Sequence, residues 1–83
     1  MSALAAIDRA LLMRCPMQFA VPVQRRHASS ETLRQEAQIS RLLRDKLVRV
    51  EWHEAASGAT AVTRTIHLTD AGLAALNAGT PAR

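Results

Sequence analysis

The chain has 83 residues, of which 48% are hydrophobic and only 2% aromatic, and it carries a formal net charge of +4 at pH 7. This length allows one small domain with a thin core, so we expect a single domain over 1–79 and a flexible tail over 80–83. A lone cysteine excludes an intrachain disulfide and fits a reducing cytoplasm. No apolar run approaches the roughly 20 residues of a membrane span. No basic region precedes the apolar N-terminus, so neither a signal peptide nor membrane contact is expected. We therefore expect a cytoplasmic protein.

The N-terminal residues predict a helix from a Ser2 cap to about Arg14, with Pro16 stopping it just beyond. Its core-facing stripe consists of three apolar residues at helical spacing: Leu4, Ile7 and Leu11. Leu12 and Met13 fall off this stripe. We expect neighbouring elements to bury them partly, with a self-association surface as the alternative.

Residues 17–24 favour a short strand, because their apolar members alternate with other residues. Those members are Phe19, Val21 and Val23. Pro22 confines such a strand to the edge of a sheet. Too few residues remain before Ser29 for a well-formed helix, so either 17–27 forms a short, irregular helix or no regular second helix forms.

Ser29 or Ser30 is expected to cap the longest helix, over about 31–46, with Glu31 favourable in its first turn. At 100° per residue, the side expected to face the core gathers Leu33, Ala37, Ile39, Ser40, Leu43 and Leu47. The other side carries a polar stripe, which consists of Arg34, Gln38, Arg41 and Asp45 and is flanked by Gln35 and Arg44.

Two strands joined by a small-residue loop follow, and the side chains of each alternate between two faces. The apolar face holds Val48, Val50, Trp52, Val62, Ile66 and Leu68, and the polar face holds Arg49, Glu51, His53, Thr63, Thr65 and His67. A turn near Gly58 predicts the pairs Val48–Leu68, Val50–Ile66 and Trp52–Arg64. Because one face must be buried, we expect Trp52→Ala to destabilise the fold by about 3–5 kcal/mol.

Thr69 is expected to cap a last helix over about 70–77, with Leu73 and Leu76 returning to the core. Gly79 and Pro81 are expected to end the ordered structure.

The stretch from the long helix to the last one resembles winged helix-turn-helix transcription regulators of the PadR-like and MarR-like type. Three elements carry the resemblance, which covers about 39–76: Leu47-Val48, Glu51-Trp52, and Leu68-Thr69-Asp70-Ala71-Gly72. It implies an α+β winged helix, with helices packed on a β-hairpin wing and a short third strand. For its helix-turn-helix the two alternatives stay open: 17–27 forms a short, irregular helix, or the motif is degenerate. Lys46 stands where the family usually has glycine, and the wing tip, 55–60, lacks the family's usual basic residues.

The positive charge is concentrated between Arg25 and Arg49, where seven basic residues face three acidic ones, so the whole net charge of +4 lies there. Arginine and glutamine are the side chains that pair bidentately with guanine and adenine edges. With the long helix in the major groove of double-stranded DNA, the expected base contacts are Arg34, Gln35, Gln38 and Arg41. The expected phosphate contacts are Arg25, Arg26, Arg44, Lys46 and Arg49.

No residue pattern indicates catalysis or a cofactor. His27, His53, His67 and Cys15 have no zinc-site spacing, and no catalytic carboxylate pair, Ser/His/Asp order or glycine-rich phosphate loop is present. We therefore expect a bacterial, non-enzymatic transcriptional regulator without cofactor or metal. The chain stops before a long dimerisation helix could form, so a homodimer is expected to use the first helix. The alternative is a winged helix for protein contact, an accessory or inhibitory subunit of a larger complex.

Overall fold

The computed structural model describes residues 4–78. In chain order the elements are α1 (Ala6–Arg14), β1 (Met17–Pro22), a 3₁₀ turn (Arg25–His27), α2 (Ser30–Arg44), β2 (Val48–Trp52), β3 (Ala61–Leu68) and α3 (Asp70–Ala78). The expected Ser2 cap, the tail over 80–83, and Gly79 and Pro81 lie outside the described residues. No described helix has the length and apolarity required to cross a bilayer.

The three strands form one antiparallel sheet in the order β1-β3-β2. The predicted hairpin register is confirmed, because Val48 pairs with Leu68, Val50 with Ile66, and Trp52 with Arg64. The predicted edge strand is also confirmed, since β1 pairs with the other side of β3. The helices and this strand order make a small α+β, winged-helix-like arrangement, as predicted. Between β1 and α2 the chain forms only the 3₁₀ turn, so no regular second helix forms there.

The core lies between the helices and one face of the sheet. Its buried apolar side chains are Leu11, Leu12, Phe19, Val21, Ile39, Leu42, Val48 and Ile66. Leu4, Leu47, Val50, Leu68 and Leu76 pack against this cluster and are partly buried. Every strand member of the core comes from the face that alternation assigns to the interior.

The predicted faces of the helices are partly wrong. In α1, Ile7 is 67% exposed, although it lies on the predicted stripe. Leu12 is buried, as expected from its neighbours. Met13, expected to be partly buried, is exposed as well. In α2 the buried residues are Ile39 and Leu42, and Leu42 lies outside the predicted apolar side. Four residues of the predicted apolar side of α2 are exposed, namely Leu33, Ala37, Ser40 and Leu43. Leu73 of α3 is also exposed rather than returned to the core.

Trp52 is 62% exposed, so the prediction that it is buried is wrong. The faces of the hairpin are not reversed, because Val48 and Ile66 on the same side are buried. Instead, the hairpin extends beyond the helices, and Trp52 lies at its outer end. There the indole ring packs against the guanidinium of Arg64, whose Cζ lies 4.1 Å from the ring centroid. A cation–π contact replaces core packing at this position.

Backbone hydrogen bonds close the C-terminus of α2 at Lys46. Lys46 has a φ of +63°, in the left-handed region. Its N–H donates to the Leu43 carbonyl and the N–H of Leu47 donates to the Leu42 carbonyl, both at 3.0 Å. This pair of bonds is the Schellman motif, in which the left-handed residue is most often glycine. Lys46 therefore adopts a left-handed conformation that is sterically unfavourable for any residue with a Cβ atom.

The start of α3 packs against this same junction. Thr69 caps α3 as predicted, since its Oγ1 accepts a hydrogen bond from the N–H of Gly72 at 3.0 Å. The same hydroxyl donates to the carbonyl of Lys46 at 2.7 Å. Gly72 is buried, and a Cβ placed on it would collide with the carbonyl oxygen of Leu47 and lie 2.8 Å from Cδ1 of Leu68. The Leu-Thr-x-x-Gly sequence thus permits a close approach between α3 and the end of α2.

Candidate nucleic-acid interface

The long helix α2 carries three exposed arginines. Ser29 fixes the start of the helix, because its Oγ accepts a hydrogen bond from the N–H of Thr32 at 3.1 Å. Arg34, Arg41 and Arg44 follow at helical spacing and are exposed. Within residues 4–78, neither Arg34 nor Arg44 makes an ion pair or a side-chain hydrogen bond. Their guanidinium groups are available to a polyanion.

Arg41 and Gln38, two of the predicted base contacts, have partners on α1. Arg41 donates from Nη1 to Oδ2 of Asp8 at 2.7 Å and from Nη2 to Oδ1 at 3.1 Å. Gln38 donates from Nε2 to Oδ1 of Asp8 at 2.9 Å and to the carbonyl of Ile7 at 3.0 Å. The hydrogen bond from Arg41 lowers the pKa of Asp8, and this effect outweighs the burial of the carboxyl group. Asp8 is therefore ionised at neutral pH, and it ties α2 to α1.

An open groove of about 920 Å³ runs between α1 and α2. Apolar side chains of Ile7, Ala10 and Leu11 form part of its wall. Its polar lining includes Gln35, Gln38, Arg14, Arg34 and Arg41. All four predicted base contacts, namely Arg34, Gln35, Gln38 and Arg41, thus line the groove beside α1. Two of them, Gln38 and Arg41, also form hydrogen bonds with α1. Their role as base contacts stays a prediction.

The predicted phosphate contacts do not form one surface. Arg25 and Arg26 lie in the 3₁₀ turn just before α2, and Arg44 and Lys46 lie at its other end. Arg49 alternates onto the polar face of the sheet, opposite to the face that the helices cover. The structure therefore places four of the five beside α2 and separates Arg49 from them.

Arg25 belongs to a charged cluster at the outer end of the sheet. Its Nη1 lies 2.7 Å from Oε1 of Glu36, and Nη2 of Arg64 lies 3.8 Å from the other carboxylate oxygen of Glu36. Cζ of Arg64 also lies 5.7 Å from the ring centroid of Phe19. Phe19 pairs with Arg64 from β1, and Trp52 pairs with it from β2. This cluster joins the 3₁₀ turn, α2 and all three strands. Glu36 offsets part of the positive charge of Arg25.

The polar face of the sheet carries both strand histidines, as alternation predicts. His67 donates from Nε2 to Oε1 of Glu51 at 2.8 Å, and this hydrogen bond lowers the pKa of Glu51. His53 and Thr65 form a hydrogen bond of 2.6 Å between Nε2 and Oγ1. Residues 4–78 contain no group of three or more candidate metal ligands. The hairpin tip beyond this face, 53–60, is exposed and has no lysine or arginine.

The sequence prediction missed Asp8 and Arg64. Asp8 precedes Leu11 and Leu12 by three and four residues, so its place on the buried side of α1 follows from helical spacing once Leu12 is assigned to the core. Arg64 lies between Val62 and Ile66 on the apolar face of β3. A charged residue at such a position requires a partner, and that requirement is the signal that would have found it.

Comparison with known proteins gives no relative, since no family model, curated protein or solved structure matches this chain.

Proposed function

We propose that the protein is a non-enzymatic, winged-helix DNA-binding protein that regulates transcription and places α2 in the major groove. The observation that carries this proposal is the row of exposed arginines on α2, two of which have no partner among the described residues. From Arg34 to Arg44 the helix rises about 15 Å, which is the length of roughly four to five base pairs. Arginines at such spacing can contact base edges and the phosphates on either side.

Basic residues at both ends of α2 support the same orientation. Arg26 is exposed in the 3₁₀ turn, where its Nε donates to Oε1 of Gln24 at 3.0 Å, and no acidic side chain in the described chain pairs with it. Lys46 is exposed at the far end of the helix. The N-terminus of α2 adds the positive end of the helix dipole near the first of these sites. A helix lying in the major groove would bring both ends close to the two phosphate backbones.

Selection from a random pool of DNA duplexes at near-physiological salt tests this proposal. Arg34→Ala should lower affinity for the enriched sequence roughly tenfold and relax base preference at one position. Arg26→Ala should weaken binding to all sequences alike and reduce the salt slope by about one. Arg49→Ala is the matched control, because it removes the same charge from the opposite face of the sheet. It should change neither the affinity for the enriched sequence nor the salt slope.

Two results contradict DNA recognition. One is that no sequence is enriched. The other is that Arg34→Ala, Arg26→Ala and Arg49→Ala lower affinity alike, which is the behaviour of a basic protein that binds any polyanion.

We further propose that the protein binds DNA as a homodimer through α1. Ile7 and Met13 of this helix are 67% and 69% exposed, although both are large and apolar. Burial of such side chains against a second copy would enlarge a thin core, and a two-fold protein suits paired half-sites. Analytical ultracentrifugation at tens of micromolar should show a dimer for the wild type and a monomer for Ile7→Ser. A wild-type monomer would contradict this assembly.

Protein contact is the second candidate function, and the exposed apolar residues favour it. Besides those of α1, exposed large apolar side chains occur at Trp52, Leu43 and Leu73. The hairpin tip lacks the basic residues that would contact DNA. If the selection enriches no duplex while Trp52→Ala or Leu43→Ser leaves the fold intact but abolishes binding to a protein partner, the winged helix serves as an accessory or inhibitory subunit.

A further inference from the structure

Arg41 presents one edge of its guanidinium to Asp8 and leaves another edge unused. The two bonds to the carboxylate, at 2.7 Å and 3.1 Å, use one hydrogen on Nη1 and one on Nη2. The Nε–H and the second Nη2–H point along a different edge, and neither has a hydrogen-bond partner within residues 4–78. Two parallel N–H donors at this spacing match the O6 and N7 acceptors of guanine. Forty-eight per cent of the Arg41 side chain is exposed, so a ligand can reach it.

The carboxylate that holds Arg41 is itself fixed. Asp8 is only 6% exposed, and it lies on the side of α1 that buries Leu11 and Leu12 in the core. Its Oδ1 also accepts a hydrogen bond from Gln38, one turn before Arg41 on α2. A long arginine side chain normally loses conformational freedom when it binds a base, and an arginine already held in place loses less.

The side chain of Gln38 is bound to α1, where Asp8 is one of its two partners. Both hydrogens of its side-chain amide are engaged, one with Asp8 and one with the carbonyl of Ile7. A bidentate contact with adenine needs a free donor on Nε2 as well as the acceptor Oε1. Gln38 would have to give up one of its bonds to α1 to make that contact.

We infer that Asp8 is a positioning residue that holds Arg41 ready to contact a guanine through Nε–H and Nη2–H. This inference rests on the proposed DNA binding and names the base that α2 selects at one position. Asp8 does not touch the DNA; it acts through Arg41, with Gln38 as its support.

The test is a double-mutant cycle on the duplex that the wild type enriches. Affinity is measured for that duplex and for versions in which each guanine is replaced in turn. Arg41→Ala should abolish a roughly tenfold preference for one guanine. Asp8→Asn should lower the same preference by roughly three- to tenfold, because one fixed acceptor oxygen becomes an amide donor. In the Arg41→Ala background, Asp8→Asn should change the preference no further.

Binding to a random duplex separates positioning from a structural defect. Asp8→Asn removes a negative charge from the basic face, so affinity for random DNA should stay unchanged or rise, whereas a folding defect would lower it. Thermal denaturation checks folding directly. If Asp8→Asn does not fold, Gln38→Ala, at a half-buried site on the helix surface, removes one bond that fixes Asp8 and should lower the guanine preference in the same direction.

Failure of this inference differs from failure of the proposed function. If the wild type selects guanine through Arg41 but folded Asp8→Asn and Gln38→Ala retain the full preference, Asp8 has no positioning role, although DNA binding stands. If the wild type enriches no duplex, the proposed function fails and this inference fails with it.

Discussion

The two ends of the β2–β3 hairpin follow the same alternating pattern but lie in different surroundings. At the end next to the helices, Val48 and Ile66 are buried, and Thr69 and Gly72 bring α3 onto the junction. At the outer end, Trp52 occupies the same face but is largely exposed and packs on Arg64. Alternation therefore tells which residues share a face, whereas burial depends on whether another element covers that face.

The largest difference between the two ends is expected for Ile66→Ala. Ile66 is 0% exposed and lies on the central strand, opposite both Met17 and Val50. Removing most of its side chain leaves a cavity, so urea denaturation should show a loss of about 3 kcal/mol. Thr63→Ala, on the polar face of the same strand, is the control and should change stability by less than about 0.5 kcal/mol. Equal losses for the two variants would mean that both faces of β3 are packed.

Gly72→Ala tests the close approach of α3 to the end of α2. The added methyl group would meet the backbone oxygen of Leu47, which cannot move without shifting β2 or the end of α2. Overpacking of this kind should destabilise the protein by about 2–3 kcal/mol, measured by denaturation. Ala71→Gly is a useful comparison, because its position is exposed and it weakens the helix by about 1 kcal/mol without a collision. If Gly72→Ala is neutral, α3 does not pack closely at this junction.

Trp52→Ala should have a smaller effect than Ile66→Ala despite the larger side chain. Its main loss is the cation–π contact with Arg64, so we expect destabilisation of about 1 kcal/mol. As the only tryptophan, Trp52 should also be readily quenched by acrylamide in the native protein. A loss of about 3–5 kcal/mol together with poor quenching would instead show that something covers the outer end of the hairpin.

Lys46→Gly is expected to have the smallest effect and the opposite sign. Lys46 adopts a left-handed conformation that glycine accepts without steric cost. Part of the gain is offset by the greater freedom of glycine in the unfolded chain, so stability should rise by about 0.5–1 kcal/mol. Arg44→Gly, inside the last turn of α2, is the opposite control and should be destabilising. A loss of stability in Lys46→Gly would show that the lysine side chain makes a favourable contact there.

The hairpin could be predicted from the sequence because only one register keeps its large apolar residues together. The edge strand and the Ser29 and Thr69 caps followed from equally local signals. The faces of the helices were predicted less accurately than the hairpin. The spacing of apolar residues along a helix does not show which neighbouring element will cover them. Helical spacing from Leu12 places Asp8 on the buried side of α1, but its partner Arg41 lies 33 positions later, and no local pattern identifies that partner.

The candidate site was predictable to a similar extent. Helical spacing placed Arg34 and Arg41 on one polar side of α2, and both remain accessible. The sequence alone could have predicted that Arg49 lies apart from these arginines, because strand alternation puts it on the face away from Val48. The engagement of Gln38 with α1 required the packing of two helices, which the sequence does not specify.

Amide chemical-shift mapping with a short DNA duplex at near-physiological salt tests the proposed interface most directly. We expect saturable shifts concentrated in Arg25–His27 and Ser30–Arg44, with little change at Thr65 and His67 on the polar face of the sheet. Shifts centred on that polar face, or no saturable shifts at all, would contradict the assignment of α2 as the DNA-binding element.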